Sequence, residues 1–403
     1  MKRQNDNLKS ILAIVFLCLV AFRGVLFSPG LVGRTWDWAT FTLRDQALIL
    51  ETFYQYSWWG QIALGFPITY NANFYSDSII YWLSYLLGGV LASKLIFVLF
   101  LILGAHFMYL YCRKLGIGPL SALIGAIFYI FNPPVYSRIV TGHVSVLLGY
   151  ALMPVFLILL ADAIKGGNSF FIKSILAGIV LSVLGSSHQM VLGCAFIITL
   201  VMILGYLFSR RYFFRALSVG CIVLFVFTAL SMYWIYPFFK NMASGSATYF
   251  RGDISVQEEL VPRIAKWKST SNNFFNAVIM KSRLGMDTEN VYPIPKLLIV
   301  PWYISGYIIL LLICLSFFKK PYMRIKWIFA IIALIGVFLT TGYNTFLGRL
   351  LYERVLMKVM AVFFEYSVTN RFALLVFLSY AVLLAYGLDV FRGYLEKLKG
   401  SKI

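Results

Sequence analysis

The sequence predicts an all-α, polytopic membrane protein of about ten transmembrane helices, with interfacial helices in its first extracytoplasmic loop. Three observations carry that expectation. Of 403 residues, 61% are hydrophobic and only 12% charged, more apolar surface than a water-soluble core of this size can hide. Apolar runs such as 297–318 and 372–391 match the roughly 20 residues a helix needs to cross hydrocarbon. The strand-length alternation of a β-barrel is missing.

Taken in order, the expected spans are 11–27, 91–112, 119–131, 144–163, 170–187, 188–208, 212–238, 297–318, 324–341 and 372–391, within a single transmembrane domain covering 1–403. Lys2, Arg3 and Lys9 precede the apolar run from Ile11, and no small-residue cleavage site follows, so the first span reads as uncleaved. The third run is too short to cross alone. It either extends past its boundaries or is partly re-entrant.

With the N-terminus in the cytoplasm, the short inside loops carry Arg113 and Lys114, then Lys165 and Lys173, then Arg210, Arg211 and Arg215, then Lys319, Lys320, Arg324 and Lys326. The tail adds Arg392, Lys397, Lys399 and Lys402. This is the positive-inside pattern of a protein in the cytoplasmic membrane with both termini inside. It accounts for a net charge of +20 without nucleic acid, since the basic residues lie between apolar runs and form no aromatic-interleaved patch. All five cysteines fall within or at the end of a span, so no loop offers a disulfide pair.

The same orientation places most of the acids outside, with the three long connections 28–90, 239–296 and 342–371. Long loops in a compact fold are where function concentrates. Residues 43–59 read as an amphipathic helix ending at Trp58 and Trp59, suited to the membrane interface, and 78–88 as another. Residues 253–284 read as one or two further helices, with Asp253 placed to cap the first.

Candidate chemistry lies on that outer face. Asp37, in "TWDWAT", stands a few residues beyond the first span. An ionised carboxylate there could take a proton from an acceptor hydroxyl or hold a cation; its alternative is a solvated acid between two anchoring indoles. In "FNPPVYSRIVTGHVS", Asn132, Pro133 and Pro134 break a helix. Arg138 could grip a phosphate and His143 could exchange a proton, the alternative for Arg138 being to snorkel to lipid headgroups. His188 lies between the fifth and sixth spans, where a satisfied loop histidine is its other reading, and His106, inside the second span, is expected to hydrogen-bond a neighbouring helix. Arg251 belongs to the basic, aromatic mixture of 239–296, which suits either a lid over an anionic, lipid-attached substrate or a helix resting on headgroups. Arg371 enters the last span in "TNRF". Metal-ligand spacings, phosphate-cradling glycine loops and nucleophile motifs are missing.

This order of parts, with "NPPVYSRIVTGHVSVLLGYALMP", "STSNNFFNAVIMKSRLG" and "TNRFALLVFLSYAVLLAYGLDVF", resembles the GT-C superfamily of membrane glycosyltransferases, in its arabinofuranosyltransferase-like branch. The resemblance implies transfer of a sugar, with inversion, from a polyprenyl-phosphate donor to a glycan, lipid or protein acceptor outside the cytoplasm. By position, Asp37 matches the family's first-loop acid, which serves as general base or as ligand of a divalent cation such as Mg or Mn. Arg138 and Arg371 then become candidates for the phosphate and His143 for orienting donor or acceptor, with His188 and Arg251 as further substrate contacts. The chain departs from many relatives in lacking an appended carbohydrate-binding domain and a second acid beside Asp37. The rival from another class is a transporter or flippase of a lipid-linked saccharide, which would carry repeats and mid-membrane charge; no repeat is visible.

Overall fold

In the computed structural model of the chain, the described residues are 2–29, 58–59, 66–67, 74–185, 194, 198, 210–243, 274–279, 296–318, 323–341, 344–350, 354 and 372–400. Their elements, in chain order, are α1 (Lys2–Ala21), α2 (Arg23–Leu26), β1 (Trp58–Trp59), β2 (Phe66–Pro67), α3 (Phe74–Leu87), α4 (Gly89–Lys114), α5 (Pro119–Ile130), α6 (Pro133–Thr141), α7 (Val144–Lys165), α8 (Phe170–Leu184), α9 (Arg210–Ala243), α10 (Phe274–Val278), α11 (Lys296–Leu315), α12 (Met323–Thr341), α13 (Phe346–Leu350) and α14 (Ala373–Gly400). Five segments, Gly89–Lys114, Val144–Lys165, Tyr212–Tyr236, Met323–Thr341 and Ala373–Leu398, are long and apolar enough to cross a membrane, and five shorter apolar helices accompany them. The described residues therefore belong to an all-α membrane protein. They fall into two compact units, Met1–Tyr111 with Tyr136–Ala247, and Cys112–Val135 with Thr248–Ile403.

In the first unit, α1 and α4 run antiparallel. Tyr109 Oη donates to Asn7 Oδ1 at 3.3 Å at one end, and the Phe22 and Phe97 rings meet edge-on, 5.1 Å between centroids, toward the other. There the buried Lys94 donates its ammonium to the Ser28 carbonyl. The helix starts at Lys2 and not at residue 11, since its polar first turns can continue the helix beyond the apolar run. Between α7 and α8 the chain turns at Gly166 and Gly167, with φ of 82° and 113°, left-handed values that glycine adopts without a Cβ clash. Arg215 reaches back from α9 and donates to the Lys165 carbonyl at 2.9 Å, satisfying a helix end that has no intrahelical donor. Gly178 of α8 lets α9 close in, since a Cβ there would lie 2.6 Å from Val226 Cβ. On α3, which begins a turn before the expected 78–88, Tyr75 Oη donates to Leu230 O of α9 at 3.1 Å.

One expectation is overturned in this unit. Trp58 and Trp59, read as the end of an amphipathic helix, form β1, pairing antiparallel with β2 in the register Trp58 to Pro67 and Trp59 to Phe66. Aromatic residues favour extended backbone, and a proline is tolerated in so short an edge pairing. The rest of 43–57 lies outside the described residues.

The second unit is organised around α14. Every residue from Ala373 to Gly387 is buried. Helix α5 lies antiparallel to it: Gly118 N–H donates to Asp389 Oδ1 at 3.0 Å, a Cβ on Gly125 would fall 2.8 Å from Ala381 O and from Ala385 Cβ, and the Phe128 and Phe377 rings stack at 5.7 Å. Helix α12 is antiparallel as well, with Gly336 against Val376 at one end and Lys326 over the Tyr386 ring, 5.0 Å from its centroid, at the other. Helix α11 crosses so closely that a Cβ on Gly387 would overlap the Leu312 carbonyl. Small residues at such crossings let backbones approach, which is how apolar helices gain packing energy over lipid contact.

Lys326, counted from the sequence among the inside basic residues, is 1% exposed. Its Nζ donates to Ser316 O at 2.7 Å, at the carbonyl end of α11, where a cation also meets the negative pole of the helix dipole. Of the segment 253–284, expected to hold one or two helices, the described part 274–279 contains the short helix α10. Phe274 of α10 packs on Phe338 of α12 at 5.7 Å, Ala277 and Ile279 are buried, Tyr380 Oη donates to Val278 O at 3.0 Å, and the Ile279 backbone rests against Gly306 of α11. This short helix is seated within the unit, its irregular end satisfied by protein, as low-dielectric surroundings demand.

Gly387→Ala is expected to force α11 and α14 apart and to lower stability by roughly 1–3 kcal/mol, whereas Gly393→Ala, with open space around it, should leave the unfolding temperature in detergent unchanged or slightly raised, alanine being the better helix former. Gly306→Val should expel the 274–279 segment, read as faster hydrogen exchange there with little change in 373–387; Tyr380→Phe, which removes one bond, should cost only about 1 kcal/mol.

Candidate functional site

Arg138 and His143 are the two candidate site residues that fall among the described ones. Asp37, His188, Arg251 and Arg371 lie outside the described residues. The pair belongs to what the sequence presents as a connection between spans and the structure resolves into α6 and the start of α7.

Helix α6 starts with a cap. Asn132 Oδ1 accepts from Val135 N–H at 3.0 Å, while its Nδ2 donates to Tyr129 O at 2.6 Å. One buried amide thus serves the end of α5 and the beginning of α6. Pro133 and Pro134 follow in the first turn, where the missing N–H groups would have no partner in any case. What reads as a helix breaker is also a helix starter.

Helix α6 ends in a Schellman motif. His143 N–H donates to Arg138 O at 3.0 Å and Gly142 N–H to Ile139 O at 3.2 Å, with Gly142 at φ 74°. In this motif the residue after the left-handed glycine folds back over the residue three before the cap, and the two side chains normally make an apolar contact. Here those positions hold His143 and Arg138. Arg138 Nη1 lies 2.7 Å from His143 Nδ1.

A guanidinium only donates, so Nδ1 must accept and the ring proton sits on Nε2. The backbone of His143 also begins α7, its carbonyl accepting from Leu147 N–H at 3.1 Å. Its side chain makes no capping bond, being committed to Arg138. The contact thus sets a guanidinium donor against an imidazole of defined tautomer. Arg138 is only 7% exposed. A charge so sheltered interacts more strongly with an anion than one in water.

His106, expected to bond a neighbouring helix, has a buried Nδ1 with no hydrogen-bond partner. Among the described residues no group of three or more His, Cys, Asp and Glu could hold a metal ion, and the acid proposed as a cation ligand, Asp37, lies outside them.

The sequence offered Arg138 and His143 as separate candidates and did not pair them. The signal was present in "RIVTGH": a glycine four residues after the arginine and immediately before the histidine is the register that brings the two together. Comparison with known proteins finds no matching family model, no matching curated protein and no matching solved structure.

Gly142→Ala is expected to strain the left-handed position by about 1–2 kcal/mol and to separate the couple. Asn132→Ala should cost about 1 kcal/mol through the lost cap. Both are checked by thermal unfolding. Nitrogen-15 spectra of the His143 imidazole should show an unprotonated Nδ1; a proton on Nδ1 with Arg138 intact would refute the pairing.

Proposed function

We propose that this chain is a membrane glycosyltransferase of the GT-C type, transferring a sugar with inversion from a polyprenyl-phosphate donor to a glycan, lipid or protein acceptor on the extracytoplasmic face. In this reading it crosses the cytoplasmic membrane about ten times with both termini inside. The observation that carries it is the sheltered Arg138–His143 couple. A guanidinium at 7% exposure, held at 2.7 Å to an imidazole nitrogen, is the equipment that a phosphate leaving group requires.

The chemistry is economical. The acceptor oxygen attacks the anomeric carbon from the face opposite the phosphate, a base removes the acceptor proton, and the bond from that carbon to the phosphate oxygen breaks. The polyprenyl phosphate departs as an anion and needs charge stabilisation more than protonation. Asp37 is assigned the base, alone or with a divalent cation, by its position after the first span. Arg138 is assigned the phosphate, with Arg371 as a second cation. His143 orients donor or acceptor, and His188 and Arg251 complete the substrate contacts.

Purified protein supplied with polyprenyl-phosphate sugars is expected to release polyprenyl phosphate in step with acceptor modification. Asp37→Asn should lower kcat by about 100-fold or more without altering thermal stability. Arg138→Lys, which keeps the charge but loses the planar fork, should lower kcat/KM by roughly tenfold to a hundredfold. Full activity in Asp37→Asn would sink the assignment of the base. Movement of intact donor across the bilayer without cleavage would instead favour a flippase.

A further inference from the structure

The last ten residues of α14 leave the bundle that buries the rest of it. From Ala373 to Gly387 the helix is buried throughout, whereas Phe391, Arg392 and every residue from Tyr394 to Leu398 are exposed. The helix nevertheless continues unbroken to Gly400. Its large apolar side chains, uncovered by the bundle, call for another surface.

Its sequence says which. Phe391, Tyr394, Leu395 and Leu398 are 43%, 48%, 43% and 64% exposed, and their spacing of three, four and seven residues puts them on one face. Arg392 stands at one edge of that stripe and Lys397 at the other. Glu396, on the polar side, is paired with Arg392 at 2.7 Å. The segment 391–402 carries four basic residues and one acid. An apolar, aromatic face flanked by cations is the pattern of a helix seated at the headgroup boundary of an anionic leaflet.

The length agrees. The eighteen residues from Ala373 to Val390 rise about 27 Å, close to the roughly 30 Å of hydrocarbon, so that residue 391 emerges where the phosphates begin. We infer that residues 391–400 form a binding element for anionic phospholipid. Rising about 1.5 Å per residue from position 391, the segment crosses the headgroup layer, where its aromatic and apolar side chains lie along lipid and Arg392 and Lys397 meet headgroup phosphates. This rests on the membrane character of the chain and not on its catalytic assignment.

The test uses the full chain in nanodiscs, one copy per disc, made of phosphatidylcholine alone or with about one third phosphatidylglycerol. With each basic residue near such a surface contributing about 1 kcal/mol, backbone amides of 391–400 are expected to exchange about tenfold or more slowly in the anionic discs. The triple variant Arg392→Gln, Lys397→Gln, Lys399→Gln should abolish that difference. Phe391→Ser with Leu398→Ser should speed exchange in both compositions. In all variants the exchange of 373–387 serves as the control for folding. Equal protection in the two lipids would overturn the proposal. So would protection that appears only when two copies share a disc, which would assign the stripe to a second copy of the chain.

Discussion

The second unit depends on how closely α14 can be approached. Lipid tails are as apolar as the side chains they would replace, so helices gain little simply by leaving lipid for each other. The gain has to come from contact distance, and dispersion falls off within a fraction of an ångström. Gly125 on α5, Gly336 on α12 and Gly387 on α14 itself each remove the one atom that would hold a neighbour away. Around those crossings the larger residues, such as Phe128 on Phe377, fill the remaining space.

Helix ends set the second constraint. Each leaves carbonyls without an intrahelical donor, and cations supply one in two places, Lys326 to Ser316 O and Arg215 to Lys165 O, while Arg113 and Lys94 do the same for carbonyls of connections, Ile117 O and Ser28 O. The negative pole of the helix dipole favours a cation at such a position. Arg113, Arg215 and Lys326, which read as markers of orientation in the sequence, therefore have a second use, satisfying carbonyls at helix ends or in the connections between helices. Asp389 makes the complementary arrangement, accepting the Gly118 N–H at the start of α5.

The candidate site follows from the same local rules. A Schellman ending brings together whatever occupies its two contact positions, and substituting an arginine and a histidine for the usual apolar pair turns a packing contact into a charged couple. Its elements were legible in "NPPVYSRIVTGH": Asn132 as cap, the prolines in the first turn, Gly142 in the left-handed conformation. What was not legible is that Arg138 is sheltered. Burial depends on what packs over α6, and nothing within six residues of sequence reports that.

The sequence by itself determined the class of the protein, because hydropathy and run length follow from composition along the chain. It determined most helix positions for the same reason: Met323–Thr341 and Val144–Lys165 lie within two or three residues of their apolar runs. Tertiary structure alone decided the fate of individual polar groups. Lys326 was buried to meet Ser316 O, the 274–279 segment was seated against Gly306, and Trp58 and Trp59 became extended by pairing with Phe66 and Pro67. Each of these outcomes needed a partner further along the chain, beyond the reach of a local pattern. Periodicity reports which face of a helix is apolar, but not which carbonyl, ring or glycine will lie opposite.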